Sequence, residues 1–379
     1  MGGAMREQIQ SWCFDTGLPF WFAHGLDRTH GGAVESLVLH GSASSQAPIK
    51  RVRVLGRQLY VFSHAALLGW PHGREASDHL FAYLTEKAWR GPDHGWPRTL
   101  DPVSGAVLDP TPDLYDYAFA LFALGWRYKL TREAQALELA HRTLDLIEAR
   151  FRHPQGGFLH ESPAAPPRQQ NPHMHLIEAA IVLAEATGEG RFCALAEEIA
   201  TLFEQRILRM PEGVLPEFFE EDWRPVAGER GRWIEPGHQF EWAWILAQHH
   251  KLTGAETLPL VRALVGWAER CGVDPRDGRT YNGVQDDGTP LDRGSRTWPN
   301  TERMKGWLGL HELTGENPWP AADASAALLL TRYLGPPNAP GGWTDAFDAE
   351  GRALAKATPA STLYHVFLAF AEYLRLSAP

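Results

Sequence analysis

The chain has 379 residues, enough for a large core, and its 36 basic and 46 acidic residues leave a formal charge of −10. With no basic run or polybasic helix, that balance argues against nucleic acid as a partner. Three distant cysteines, Cys13, Cys193 and Cys271, lack C-x-x-C spacing and so argue against a disulfide framework or a zinc site.

Reduced thiols suit a cytoplasmic protein, and the N-terminus M-G-G-A-M-R-E-Q-I-Q has no apolar signal core. No apolar window of about 18 residues is present, so no membrane partner is expected. Fifteen tryptophans are many for this length and suggest sugar-stacking surfaces beside plain core packing.

In chain order, apolar residues at three-and-four spacing predict helices over 5–16, 52–69, 75–89, 114–130, 133–151, 173–187, 191–206, 238–253, 257–271, 301–314, 321–334 and 361–376. Between successive pairs stand glycine-marked turns followed by short β-like stretches, with first glycines at Gly31, Gly95, Gly156, Gly213, Gly278 and Gly341. Their spacings are 64, 61, 57, 65 and 63 residues, about one helical hairpin with its loops.

Two alternating sets of six helices result. Closing one set into an inner ring and wrapping the other outside buries both apolar faces. The expected fold is therefore all-α: an (α/α)6 barrel with β-hairpin-like loops at one mouth, a single catalytic domain over 1–379. An open α-solenoid is the competing arrangement.

The inner-set helices begin with polar and aromatic residues at matching places: Arg53 and Arg57, Asp113 with Tyr115 and Asp116, Asn171 with His173 and His175, His238 with Glu241, Trp298 with Glu302, and Ser361 with His365. Function is expected at the mouth where these helix N-termini converge. His238 and Glu241 lie three apart and so leave one face of a first turn, where the helix dipole favours anions.

Each of these residues has a plainer reading. His238 also reads as a helix cap, and His365, among apolar neighbours, as a hydrogen-bonded core histidine. Asp113 and Asp116 read either as paired carboxylates for glycosyl hydrolysis or as an N-cap and a first-turn acid. His173 and His175 alternate around Met174 and point to different faces, so no metal is expected there. Arg53 reads as a ligand for sugar hydroxyls or as an ordinary helix-end charge. Trp242, Trp298 and Trp343 are sugar-platform or core residues.

Four ordered motifs carry a resemblance. N-P-H-M-H-L-I-E-A at 171–179, E-P-G-H-Q-F-E-W-A-W at 235–244, R-T-W-P-N-T-E at 296–302 and P-A-S-T-L-Y-H at 359–365 resemble the N-acylglucosamine 2-epimerase superfamily. The opening G-G-A-V-E-S and the R-Q-L-Y-V-F-S helix also fit, so the likeness covers nearly the whole chain. The H-M-H plus E-P-G-H-x-F-E-W combination is most similar to the D-mannose isomerase and sulfoquinovose-type aldose–ketose isomerase branch.

That resemblance implies an (α/α)6 barrel, no cofactor and metal-free interconversion of free sugars. It implies His238 and His365 as the acid/base pair, with Arg53, Tyr115, Asn171, His175, Glu241 and Trp298 holding substrate or helping to open its ring. Glu302 joins them from the same helix start as Trp298. An arginine of the 230–232 loop, Arg230 or Arg232, is also implied as a substrate contact, and Asn300 stands where the family more often has Gln.

The chemistry follows from the residues. Turning an aldose into a 2-ketose requires ring opening, removal of the C2 proton and its return to C1 through a cis-enediol. Imidazole serves as base and then acid near neutrality. The expectation is that His365 moves the proton from C2 to C1, while His238, oriented by Glu241, handles O5. Arg53 and the helix N-termini would stabilise the enediolate. The expected partner is a small neutral monosaccharide and the expected assembly a monomer or homodimer; the alternative activity is a sugar 2-epimerase.

Overall fold

The computed structural model describes residues 2–38, 47–336, 338–354 and 357–378. In chain order the helices are α1 (Gly2–Ser11), α2 (Leu18–His24), α3 (Val52–Leu67), α4 (Gly73–Tyr83), α5 (Leu114–Thr131), α6 (Ala134–Phe151) and α7 (Asn171–Thr187). They continue with α8 (Gly190–Leu202), α9 (Glu229–Arg232), α10 (Pro236–Thr253), α11 (Leu258–Gly272), α12 (Thr297–Thr314), α13 (Trp319–Leu328) and α14 (Leu363–Leu376). Both predicted sets are present and alternate.

The sets differ as their sequences require. In α7 every residue from Pro172 to Ala184 is buried, which suits a helix covered on all sides. Helix α6, with Glu138 and Arg142 in its sequence, buries one apolar stripe instead. Four outer-set helices run on into a π turn, at Trp12–Gly17, Leu84–Ala88, Phe203–Ile207 and Leu329–Tyr333. Each inserts a residue into the helical register, a local feature that hydrophobic periodicity does not show.

Contacts gather the chain into two compact units. The unit of residues 20–199 and 359–364 has α3, α5 and α7 packed side by side, with α4 behind α3 and α6 behind α5. The unit of residues 1–19, 200–358 and 365–379 has α10 against α12, backed by α11 and α13. Helix α14 is tied into this second group by the Trp244 indole, which donates to Glu372 at 3.0 Å.

The predicted glycine turns are real backbone requirements. All six first glycines have positive φ, from 69° at Gly95 to 88° at Gly156 and Gly341. The β-like stretches form short antiparallel ladders. Lys50–Arg51 enters α3 and pairs with Thr99–Leu100, and Trp233–Ile234 leads to α10 and pairs with Gly283–Gln285. Ser295–Arg296 enters α12 and pairs with Ala346–Phe347. In each case the strand that starts an inner-set helix is held by the strand after the next glycine turn, which fixes where that helix begins.

Candidate active site

Helix α10 begins with Pro236 at its first turn, where a missing N–H costs nothing, followed by Gly237. A Cβ at Gly237 would lie 2.5 Å from the Trp298 ring, so glycine lets that indole close over the start of the helix. The next residue is His238. Its ring centroid lies 5.0 Å from that of Trp298, and the His365 centroid lies 5.5 Å from the same indole. The two histidines, 127 positions apart, thus flank one tryptophan. They are 7 % and 6 % exposed.

Each imidazole is held by a carboxylate at Nδ1. His238 Nδ1 lies 3.0 Å from Glu217 Oε1, and His365 Nδ1 lies 2.8 Å from Glu302 Oε1. Glu241, expected to orient His238, has an oxygen 3.9 Å from His365 Nδ1. It acts on His238 through charge, while the hydrogen bond comes from Glu217. Burial disfavours the charged His238 ring, but Glu217, Glu235 and Glu241 outweigh it and push its pKa up to about 9. His238 is therefore an imidazolium at neutral pH.

Glu302 is fully buried, and that burial raises its pKa despite the opposing Lys305 ammonium 2.8 Å away. Glu241, Glu302 and His365 bring one donor atom each within 4.8 Å of the others, a spacing that a metal ion would accept. The Lys305 ammonium already gives this cluster a cation.

The other expected residues form a second group, around a cavity of about 580 Å³ lined by Arg51, Arg53, Arg57, Arg98, Tyr115 and Asn171, among others. Asp113 caps α5, its Oδ1 accepting from the Tyr115 N–H at 2.9 Å. Arg53 is held by one carboxylate: Nε and Nη2 meet Asp116 at 3.0 and 2.9 Å, and its backbone N–H donates to the same group. The two aspartates are thus a cap and a buried counter-charge. The Asn171 side-chain oxygen is buried and has no hydrogen-bond partner among the described residues.

Arg57, one helical turn beyond Arg53, differs from it. It is buried, donates to the Tyr115 hydroxyl at 2.6 Å, lies over the Phe119 ring at 4.2 Å and has no carboxylate partner among the described residues. Tyr115 also meets His175 edge-on at 4.8 Å, and His175 Nδ1 is 3.4 Å from Glu178. Both Glu178 oxygens accept from the Tyr364 hydroxyl, at 2.7 and 2.6 Å.

Other expected residues are engaged by neighbouring protein groups. His173 accepts from the Phe158 N–H and faces the Gln169 carbonyl, and burial drives its pKa down to about 3, so it is a neutral strut. Asn300 braces Thr280, Arg296 and Tyr333. Arg232 is partly exposed and paired with Asp286 and Asp287 at 2.8 and 2.7 Å, while Arg230 lies over the Phe218 ring.

Glu217 was missed, although a signal for it exists. Counting four residues on from the first glycine gives Glu35 from Gly31 and Glu217 from Gly213, and counting five on from Gly156 gives Glu161. Each bonds a polar side chain: Arg51, His238 and Arg98.

Residues 32–369 match the family model for N-acylglucosamine 2-epimerase. A "Mannose-6-phosphate isomerase" from Rhizobium meliloti is 35 % identical over 96 % of this chain and 95 % of that protein. A "D-mannose isomerase" from Thermobifida fusca is 30 % identical over 69 % of this chain and 68 % of that protein.

Among solved structures, a cellobiose 2-epimerase from Spirochaeta thermophila superposes with a TM-score of 0.86 at 26 % identity, covering 99 % of this chain and 96 % of that one. A D-mannose isomerase structure gives a TM-score of 0.86 at 23 % identity over 98 % and 97 %, a likeness of fold. The fold class expected from the glycine period, the (α/α)6 barrel, is the one these neighbours share with this chain. By a match that takes in all four ordered motifs, the chain belongs to the N-acylglucosamine 2-epimerase family, whose members are sugar isomerases and epimerases.

Proposed function

We propose that this protein is an aldose–ketose isomerase that interconverts a free, neutral aldose of the D-mannose type and its 2-ketose by metal-independent proton transfer, with residues 1–379 acting as one catalytic domain. The observation that carries the reading is the pair of carboxylate-held imidazoles on one indole, at 5.0 and 5.5 Å. Their unequal surroundings support a division of roles. His238, held as an imidazolium by three carboxylates, protonates O5 as the ring opens and, left neutral, takes up the O1 hydroxyl proton; it then gives that proton to O1 of the enediol and recovers one from O2 as the ketose forms. His365, with Nδ1 bonded to Glu302, takes the C2 proton through Nε2 and returns it to C1. Trp298 supplies a stacking face for the sugar. Within the unit of residues 20–199 and 359–364, Arg57, Tyr115, Asn171 and His175 make a polar group suited to hydroxyls, in which Arg57 rather than Arg53 is the cation without a carboxylate among the described residues.

The charge balance of the cavity favours a neutral sugar over a sugar phosphate. Of its four arginines, Arg51 pairs with Glu35, Arg53 with Asp116, and Arg98 with Asp113 and Glu161. Arg57 alone lacks a carboxylate among the described residues, and one guanidinium is a poor match for a phosphate dianion. Initial rates with D-mannose and D-mannose 6-phosphate test this. The free sugar is expected to be turned over with the higher kcat/KM, and preference for the phosphate would overturn the neutral-sugar reading.

His365→Ala tests the proton transfer. It is expected to lower kcat by about 10²–10⁴-fold while calorimetry still shows sugar binding. Turnover at the wild-type rate would remove His365 from the reaction. A 2-epimerase is the second reading, favoured by the imidazolium of His238, which is a loaded proton donor for the opposite face of an enediol.

A further inference from the structure

Lys305 is buried in α12 with 0 % of its side chain exposed, one turn on from Glu302, which is equally closed to solvent. Its ammonium lies 2.8 Å from Glu302 Oε2 and 4.4 Å from the centre of the Trp244 ring. Trp244 in turn donates to Glu372, whose carboxylate is bound by Arg375. Glu302 uses its other oxygen, Oε1, to hold His365 Nδ1 at 2.8 Å. A run of contacts therefore leads from a buried ammonium, through one carboxylate, to the imidazole assigned to C2.

A buried ion pair is a weak source of stability, because desolvating both charges costs several kcal/mol. Apolar residues of the same volume would fill this position at least as well, so the pair points to chemistry. We propose that Lys305 is a positioning residue for the isomerase reaction: its charge keeps Glu302 a carboxylate, and Glu302 thereby fixes His365 with Nδ1 donating and Nε2 presented to the sugar. The inference rests on the role given to His365 above.

The titratable groups facing Glu302 from neighbouring elements are His238 and Glu241 on α10 and His365 on α14, while Glu372 on α14 and Lys305 both meet Trp244. Thr301 adds a hydroxyl from α12 itself, 3.3 Å from Glu302 Oε1. Lys305 is the cation paired with Glu302 on its own helix. Burial already favours the protonated carboxyl. Remove the ammonium, and the Glu302–His365 pair holds its proton more tightly.

Lys305→Met keeps the length and removes the charge. In the folded variant the acidic limb of the kcat/KM profile is expected to move up by about one pH unit or more, with about a tenfold loss at pH 7 and little change in KM. Lys305→Gln, measured alongside, is expected to shift in the same direction. In a Glu302→Gln background the lysine substitution should add no further shift, because its effect passes through that carboxylate.

Nitrogen-15 NMR of the histidines, with the His365 signals assigned by their loss in His365→Ala, follows the same titration without any turnover. An unmoved His365 titration in folded Lys305→Met and Lys305→Gln would overturn the inference. So would a full shift that persists in the Glu302→Gln background. Wild-type protein that isomerises no sugar would instead sink the functional reading and leave the NMR result standing on its own.

Discussion

At the scale of single residues, the two histidines that look alike in sequence are held by different carboxylates, His238 by Glu217 and His365 by Glu302. His238 has its pKa pushed up to about 9 from an ordinary 6.5 because Glu217, Glu235 and Glu241 outweigh the burial that opposes them. A raised histidine pKa contributes stability that is fully present below pH 6.5 and is lost as pH rises through 9. Glu217→Gln removes the hydrogen-bonded carboxylate, so it is expected to flatten the stability curve between those two values. Denaturant titrations at pH 6, 8 and 9.5 measure this, and a variant that keeps the wild-type slope would show that Glu217 does not set the charge of His238.

The same reasoning separates two neighbouring arginines. Arg53→Ala leaves Asp116, fully buried and already raised to about 6 by that burial, without its counter-charge. The expected cost is about 3–5 kcal/mol of stability. Arg57→Ala strands no carboxylate, so the expected damage is to kcat/KM, by about 10²-fold for one lost charge contact, with a smaller change in melting temperature. The reverse pattern, an inactive but stable Arg53 variant, would return the substrate contact to Arg53. Sequence alone could not order these two, since both follow the strand entering α3 and only the position of Asp116 distinguishes them.

At the scale of elements, the helix order was legible because apolar spacing and the glycine period reinforce one another. Helix α12 begins at Thr297, four residues before the predicted 301, because Ser295–Arg296 pairs with Ala346–Phe347 and releases the chain into helix at once. That pairing partner lies about 50 residues downstream, beyond any local window. The inner helices also approach one another through glycines. A Cβ on Gly56 of α3 would meet the Phe119 carbonyl oxygen of α5 at 2.6 Å, so neither backbone can yield cheaply. Gly56→Ala should therefore destabilise the protein by about 1–3 kcal/mol through overpacking, although alanine is the better helix former. A rise in melting temperature would mean that α3 and α5 have room to separate.

At the scale of the whole molecule, the fold class was legible and the reaction is not. The six glycine turns imply six hairpins whatever chemistry they carry, and 2-epimerases and isomerases share this architecture, so the fold cannot choose between them. The motifs narrowed the site to a few helix starts. They did not reveal Glu217 or Lys305, because a carboxylate in a loop and a lysine one turn beyond Trp298-Pro299-Asn300-Thr301-Glu302 acquire meaning only when the histidines they support are in place.

What separates the two activities is where the proton goes after it leaves C2. If His365 alone carries it, the proton returns on the same face and is delivered to C1, giving a ketose. If the imidazolium of His238 donates to the other face of C2, the product is the 2-epimer. Incubation of D-mannose in deuterated buffer, followed by proton NMR, reads both outcomes in one experiment. Fructose with no early glucose is the expected result, its C1 keeping the proton carried from C2 and gaining deuterium only as far as the proton on His365 exchanges with solvent. Because His238 stays charged up to about pH 9, an epimerase built on the same pair would make glucose labelled at C2 and lose that product as pH rises through 9. Glucose appearing first would transfer the second proton to His238 and reassign the activity.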